Sequence, residues 1–215
     1  DSKTDVACMT SGDFYGSELS KTFDEANDLK ISFVDANGSE TVLKASTKVI
    51  AGEIIDATAM SAKALKEFYA EAIARAKKED VLLSLHLKAT MMKNSDPIMF
   101  GFAVKVYFKD LIAKHAALFD EIGVNFNNGL GDLYAKLETL DAAKKAEIEA
   151  DIAAVYAKQP RLAMVNSAKG ITNLHVPSDD IIDASMPAMI KGGVKMWNAD
   201  DKEEDTIAMI PDRAY

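Results

Sequence analysis

The spacing of hydrophobic and polar residues changes along this chain, and each change of period predicts an element. Leu29-Lys30-Ile31-Ser32-Phe33-Val34 alternates at the two-residue period of a half-buried strand, and a second β-rich run, Glu40-Thr41-Val42-Leu43, follows closely. Between them lies Asn37-Gly38, a pair that tolerates the positive φ of a tight turn, so the two runs predict a hairpin. At Ser61, a competent helix cap, the period lengthens: Ala64, Leu65, Phe68, Ala72, Ile73 and Ala76 form one apolar stripe of a helix reaching about Lys78. Val81-Leu82-Leu83-Ser84-Leu85-His86-Leu87 is then almost continuously apolar and bounded by charge, as a central strand covered on both faces should be.

After a polar stretch from Lys88 to Ser95, Asp96-Pro97 predicts the start of one long helix, with Asp96 at the cap and Pro97 at the first helical position. Ile98, Phe102, Val106 and the stretch from Leu111 to Phe119 supply its buried side, and Gly123 ends it. A shorter helix is expected from Leu130 to Leu140, and another after Asp141, carrying Ile148, Ile152, Val155 and Tyr156 and stopped by Pro160. Leu162 to Val165 and Ile171 to Val176 read as strands, and Asp179 to Ile190 as a helix that Pro187 should kink or break. Gly12 to Glu18 reads as a loop pinned by Phe14 and Tyr15, and Gly192 to Ile210 as a hairpin-like excursion around the acidic block from Asp200 to Asp205. Strands and helices interleave, which makes the class α/β, with mixed α+β as the alternative.

Composition narrows the function classes. A net charge of −9 argues against a nucleic-acid partner, which needs a concentrated basic face. No apolar run approaches the roughly 20 residues of a membrane span, so no membrane role is expected. Cys8 is the single cysteine, which excludes an internal disulfide or a thiolate metal cage and fits a reducing cytoplasm. The chain starts at Asp1 and stops at Tyr215 with no obvious helix end or polar tail, a layout expected of an excised piece.

Two places could carry chemistry. Lys88 sits at the end of the most buried strand, where α/β sheets bind ligands, with Met91 and Met92 beside it. A lysine there binds a carboxylate or moves a proton; the alternative is a strand-terminal lysine reaching water along its stem. Asp179, Asp180 and Asp183 follow a strand, and on a helix Asp179 and Asp183 would face the same way, offering oxygens to Mg²⁺; the alternative is simple capping. Of the histidines, His86 reads as a core residue, His115 as structural or exposed, and His175 as the one near enough to the acids to line a pocket. Asn128-Gly129-Leu130-Gly131 and Lys191-Gly192-Gly193 match neither a phosphate loop nor a dinucleotide fingerprint, so no NADP-binding motif lies within the chain.

Longer strings decide more. Ser84-Leu85-His86-Leu87-Lys88-Ala89-Thr90-Met91-Met92-Lys93, Ser95-Asp96-Pro97-Ile98-Met99-Phe100-Gly101, Asn127-Asn128-Gly129-Leu130-Gly131-Asp132-Leu133-Tyr134, Gly170-Ile171-Thr172-Asn173-Leu174-His175-Val176-Pro177-Ser178-Asp179, Asp183-Ala184-Ser185-Met186-Pro187-Ala188-Met189-Ile190 and Ile210-Pro211-Asp212-Arg213 resemble, in this order, the monomeric NADP-dependent isocitrate dehydrogenases. The resemblance covers essentially all 215 residues but less than a third of a typical member, and places them within the large second domain of an isocitrate/isopropylmalate dehydrogenase-like fold. It implies oxidative decarboxylation of isocitrate to 2-oxoglutarate, a tricarboxylic acid cycle reaction, with NADP and Mg²⁺ or Mn²⁺. Lys88 falls on the catalytic lysine and Asp183 on a metal-ligating aspartate; the remaining ligands, the catalytic tyrosine and the NADP site fall outside the chain. The segment is therefore expected to be inactive alone, and the full-length form to be a monomer. Self-association of the segment, or a non-enzymatic binding or assembly role for it, are the competing expectations.

Overall fold

The computed structural model describes residues 1–88, 92–177, 187–188 and 190–213. Its strands are β1 (Asp5–Ala7), β2 (Leu19–Thr22), β3 (Asn27–Val34), β4 (Glu40–Val49), β5 (Ile54–Ala57), β6 (Leu82–Leu85), β7 (Met164–Asn166), β8 (Ile171–Thr172), β9 (Met196–Trp197), β10 (Glu203–Glu204) and β11 (Thr206–Met209). Its helices are α1 (Phe14–Ser17), α2 (Ala62–Glu79), α3 (Asp96–Tyr107), α4 (Lys109–Glu121), α5 (Leu130–Leu137) and α6 (Ala142–Lys158). The mixed α/β class is as expected.

The centre is a small parallel sheet in the order β1-β11-β6. All four β6 residues are buried, as the unbroken apolar run requires, and Leu83 also bridges Leu162 in parallel on its far side. Leu65, Tyr69, Ala72, Ile73 and Ala76 of α2 pack into the same core as Met99, Phe100, Ala103 and Val104 of α3. The Ser61 cap on α2 is as expected: its side chain accepts from the Ala64 N–H. Asp141 caps α6 in the same way, accepting from Lys144.

Five expectations change. The long helix after Pro97 is two helices that part at Phe108, where φ −99° and ψ 24° leave the helical range. Its period hides the break, because Tyr107, Leu111, His115 and Phe119 are all buried and four apart. Asp96 is the first residue of α3, not its cap, and its carboxylate is wholly buried. Thr206–Met209, read as part of a hairpin-like tail, is the middle strand of the core sheet; the excursion itself is the smaller β9–β10 pair. The loop at Phe14 and Tyr15 is a helical turn capped by Asp13; Phe14 packs against the core as expected, whereas Tyr15 is exposed. The predicted strand 171–176 shortens to two residues, because Asn173 turns inward and pairs both ways with the Leu85 backbone. The predicted helix 179–190 lies almost entirely outside the described residues.

The hairpin is present and longer than its alternation suggested, with Gly38 taking φ +84° in the turn. It is a ribbon of two long antiparallel strands.

Candidate functional site

Parallel strands place their carboxyl ends together, and ligands gather at that edge. Here β1, β11 and β6 run out side by side. The Met9 N–H donates to the Pro211 carbonyl, Ile210 to Ala7, and His86 to Met209, each at 2.9 Å. The chain therefore brings Lys88, the stretch Pro211-Asp212-Arg213 and the Cys8-to-Asp13 loop to one edge, across more than 100 residues of sequence.

Lys88 lies three residues beyond β6 and is half-buried. Its backbone N–H donates to Asp96 Oδ2 at 2.6 Å, and its ammonium charge favours the ionised form of that same carboxyl. Ser95 Oγ donates to the other oxygen at 3.0 Å. Burial nevertheless wins: desolvation is the largest influence on Asp96 and pushes its pKa above the usual aspartate value, aided by the charge of Asp212. Asp96 thus ties the start of α3 to the segment that presents Lys88. Met92, its expected apolar neighbour, is about half exposed; Met91 lies outside the described residues.

A second buried carboxylate stands on the same edge. Asp13 is fully buried and paired with Arg213, whose Nε reaches Oδ2 and Nη2 reaches Oδ1, both at 2.8 Å. The Arg213 and Gly16 backbone N–H groups complete the shell at 3.1 Å. This arginine is the main reason that the Asp13 carboxyl is held far below the usual range. A Cβ at Gly16 would lie 2.6 Å from Arg213 Nη2 and 2.8 Å from Asp13 Oδ1, so a larger residue there would press on this ion pair. Asp212 accepts the Tyr15 N–H at 3.0 Å. Sequence reasoning assigned no role to Asp13, Asp212 or Arg213, although Ile210-Pro211-Asp212-Arg213 stood out as a string. It read Asp96 as a cap.

The other proposed ligand, Asp183, lies outside the described residues, as do Asp179 and Asp180. His86 is a core residue, as expected, with Nε2 2.8 Å from Ser84 Oγ. His175 stacks on Tyr134, its ring centroid 5.8 Å away, and burial lowers its pKa. Its carbonyl accepts the Gly131 N–H at 2.8 Å and would lie 2.2 Å from a Cβ at Gly129, which explains that glycine. His115 is buried rather than exposed and sits 2.6 Å from Asp151 Oδ2.

His115, Glu147 and Asp151 bring ligand-type atoms within 4.8 Å of one another, the one metal-competent trio among the described residues. Lys114 already holds Asp151 at 2.6 Å, and Lys144 holds Glu147 at 2.8 Å. Both ion pairs lower the carboxylate pKa values. A cation would have to displace these ammonium groups, so the trio serves as a salt-bridge network between α4 and α6.

The family model described as monomeric isocitrate dehydrogenase matches residues 1–215. The chain belongs to the monomeric isocitrate dehydrogenase family. It is 60% identical over all 215 residues to isocitrate dehydrogenase (NADP) 2 of Colwellia maris and to the isocitrate dehydrogenase (NADP) of Azotobacter vinelandii. Identity to the enzyme of Corynebacterium glutamicum is 52% over the same span. In each case the chain covers 29% of the relative's length. For this family member, then, the described edge holds Lys88 and three buried carboxylates, Asp13, Asp96 and Asp212, and no described helix is long and apolar enough to cross a membrane.

Proposed function

We propose that these residues form a segment of an NADP-dependent isocitrate dehydrogenase, within its large second domain, and contribute Lys88 as catalytic lysine and Asp183 as one metal ligand. The observation that carries this reading is the family match along the whole chain, joined to the position of Lys88 at the carboxyl edge of the parallel sheet. A lysine there reaches a substrate hydroxyl from the sheet side, where its ammonium steadies negative charge developing on oxygen and can exchange a proton with it. Asp96 would fix where Lys88 starts from, since it grips the lysine's own N–H from a buried position.

The reaction assigned is oxidative decarboxylation of isocitrate to 2-oxoglutarate, with NADP accepting the hydride. Mg²⁺ or Mn²⁺ would polarise the hydroxyl and stabilise the enolate left by CO₂ loss. Among the described residues, Asp96 and Asp13 spend their oxygens on internal donors and the His115 trio is held by lysines, so Asp183 is the ligand proposed for it. The substrate carboxylate grips, the tyrosine and the NADP site belong to other parts of a family-length polypeptide. An exposed, unpaired Cys8 supports a cytoplasmic setting, and the family's description supports a monomeric whole. The test is isocitrate-dependent NADPH formation by the family-length protein and by Lys88→Met and Asp183→Asn; activity undiminished in both variants overturns the residue assignments.

A further inference from the structure

The three carboxylates buried at the sheet edge differ in what holds their charge. Asp13 has a guanidinium and two backbone N–H groups around it. The direct partners of Asp96 are neutral, the Lys88 N–H and the Ser95 hydroxyl. Charged and titratable groups face it from three other parts of the chain. Lys88, beyond β6, favours its ionised form; Asp212, beyond β11, opposes it; and Tyr69 of α2 carries a phenol that burial keeps neutral. Desolvation dominates, so the fold makes this charge costly. Asparagine has nearly the same shape and carries no such cost. A charge kept against the interest of stability points to a use in function.

The surroundings of Asp96 are stiff. It is the first residue of α3, whose Met99, Phe100 and Ala103 lie in the core, and the Tyr69 hydroxyl donates to the Met99 carbonyl at 3.2 Å. The Lys88 backbone is held on both sides of its residue. Its N–H donates to Asp96 Oδ2 at 2.6 Å, and its carbonyl accepts the Met92 N–H at 2.7 Å. The Asp96 N–H closes the loop by donating to the Met92 carbonyl at 3.1 Å. One carboxylate fixed in a packed helix thus grips the lysine's backbone directly and attracts its ammonium through space.

We propose that Asp96 is a positioning residue of the reaction, whose ionised carboxylate holds both the backbone and the ammonium of Lys88 in place and acts through the lysine rather than on the substrate. The inference deepens the reading of Lys88 as the catalytic lysine and rests on it. Protonation of Asp96, or its replacement by asparagine, leaves an acceptor for the Lys88 N–H but removes the attraction on the ammonium. The lysine then wanders from its working geometry, and a misplacement of about 1 Å costs up to about a hundredfold in rate.

The test is steady-state NADPH formation by the family-length protein across acid and neutral pH. Asp96→Asn should lower kcat about ten- to a hundredfold at neutral pH and leave the KM for isocitrate within about twofold of the parent. The parent-to-variant ratio should narrow in acid, where the parent's own Asp96 takes up a proton. Two further variants keep the carboxylate and move only its titration. Ser95→Ala removes a donor to the charged form, so the acid decline of kcat should move to higher pH; Asp212→Asn removes the opposing charge, so it should move to lower pH. A parent-like kcat in Asp96→Asn, a ratio constant with pH, or an acid decline unmoved by both further variants overturns the inference. The Lys88→Met background separates the two readings. There Asp96→Asn should add little further loss, because a positioning residue has nothing left to position. A slow Lys88→Met enzyme in which the Asp96→Asn loss multiplies in full refutes the positioning alone, whereas a Lys88→Met enzyme at the parent rate refutes the role of the lysine and this inference with it.

Discussion

The backbone N–H of Lys88 donates to the buried carboxylate of Asp96 at 2.6 Å, so the residue that begins α3 holds the residue proposed for catalysis. The bond is charge-assisted and shielded from water, conditions under which a hydrogen bond is worth most. Asp96→Ala should lower unfolding stability by about 2 kcal/mol. Asp96→Asn, which keeps an acceptor oxygen, should lose less. Urea unfolding of the variants checks both, and equal losses would show that a neutral acceptor cannot stand in for the carboxylate in this bond.

Asp13 and Asp96 predict opposite pH dependences. Asp13 has a depressed folded pKa, so its stabilisation is complete above the unfolded aspartate value near 3.9 and is lost as pH falls toward its folded value. Asp96 has a raised folded pKa, so its contribution is complete below the unfolded value and declines as pH rises through the folded one. Urea midpoints measured across acid and neutral pH should therefore respond differently to two changes. Arg213→Met should flatten the acid limb and lower stability at neutral pH by leaving Asp13 buried without its cation. Asp96→Asn should remove the decline above pH 4 and leave the acid limb in place.

Gly101 faces Asn127 so closely that an added Cβ would fall 1.9 Å from its Oδ1 and 3.1 Å from its Cα. Gly101→Ala should destabilise by about 1–3 kcal/mol through overpacking between α3 and the turn at Phe126–Asn128, despite the better helix propensity of alanine. Adding Asn127→Ala removes the nearer clash but not the backbone one, so the double variant should recover part of the loss. Additive losses would count against the contact.

What the sequence made legible was local or strongly patterned. The Leu82–Leu85 run could be nothing but a covered strand, and it placed Lys88 at a strand end before any fold was known. Ser61 and Asp141 announced their helices because capping is chemistry within three residues. Pairing across distance was not legible. Thr206–Met209 becomes central only because Asp5–Ala7 and Leu82–Leu85 arrive on either side, and four residues after an acidic loop carry no sign of that. The break at Phe108 leaves the apolar period intact; its ring packs edge-on to Tyr156, and neighbouring Tyr107 bonds the Pro160 carbonyl, both contacts with distant residues. Asp96 looked like a cap because aspartate before proline usually is one. Its other partner, Lys88, lies eight residues upstream across a turn. Of the two residues proposed for chemistry, position argued for Lys88 and the cluster of aspartates after a strand for Asp183, and the family resemblance gave each its role.

The central claim is that Lys88 acts on isocitrate from this sheet edge. Steady-state NADPH formation by the family-length protein and its Lys88→Met variant tests it most directly. The expected result is a kcat lower by about 10²–10⁴ in the variant, with its fold unchanged by circular dichroism. A Lys88→Met enzyme that turns over isocitrate at the parent rate would contradict the account.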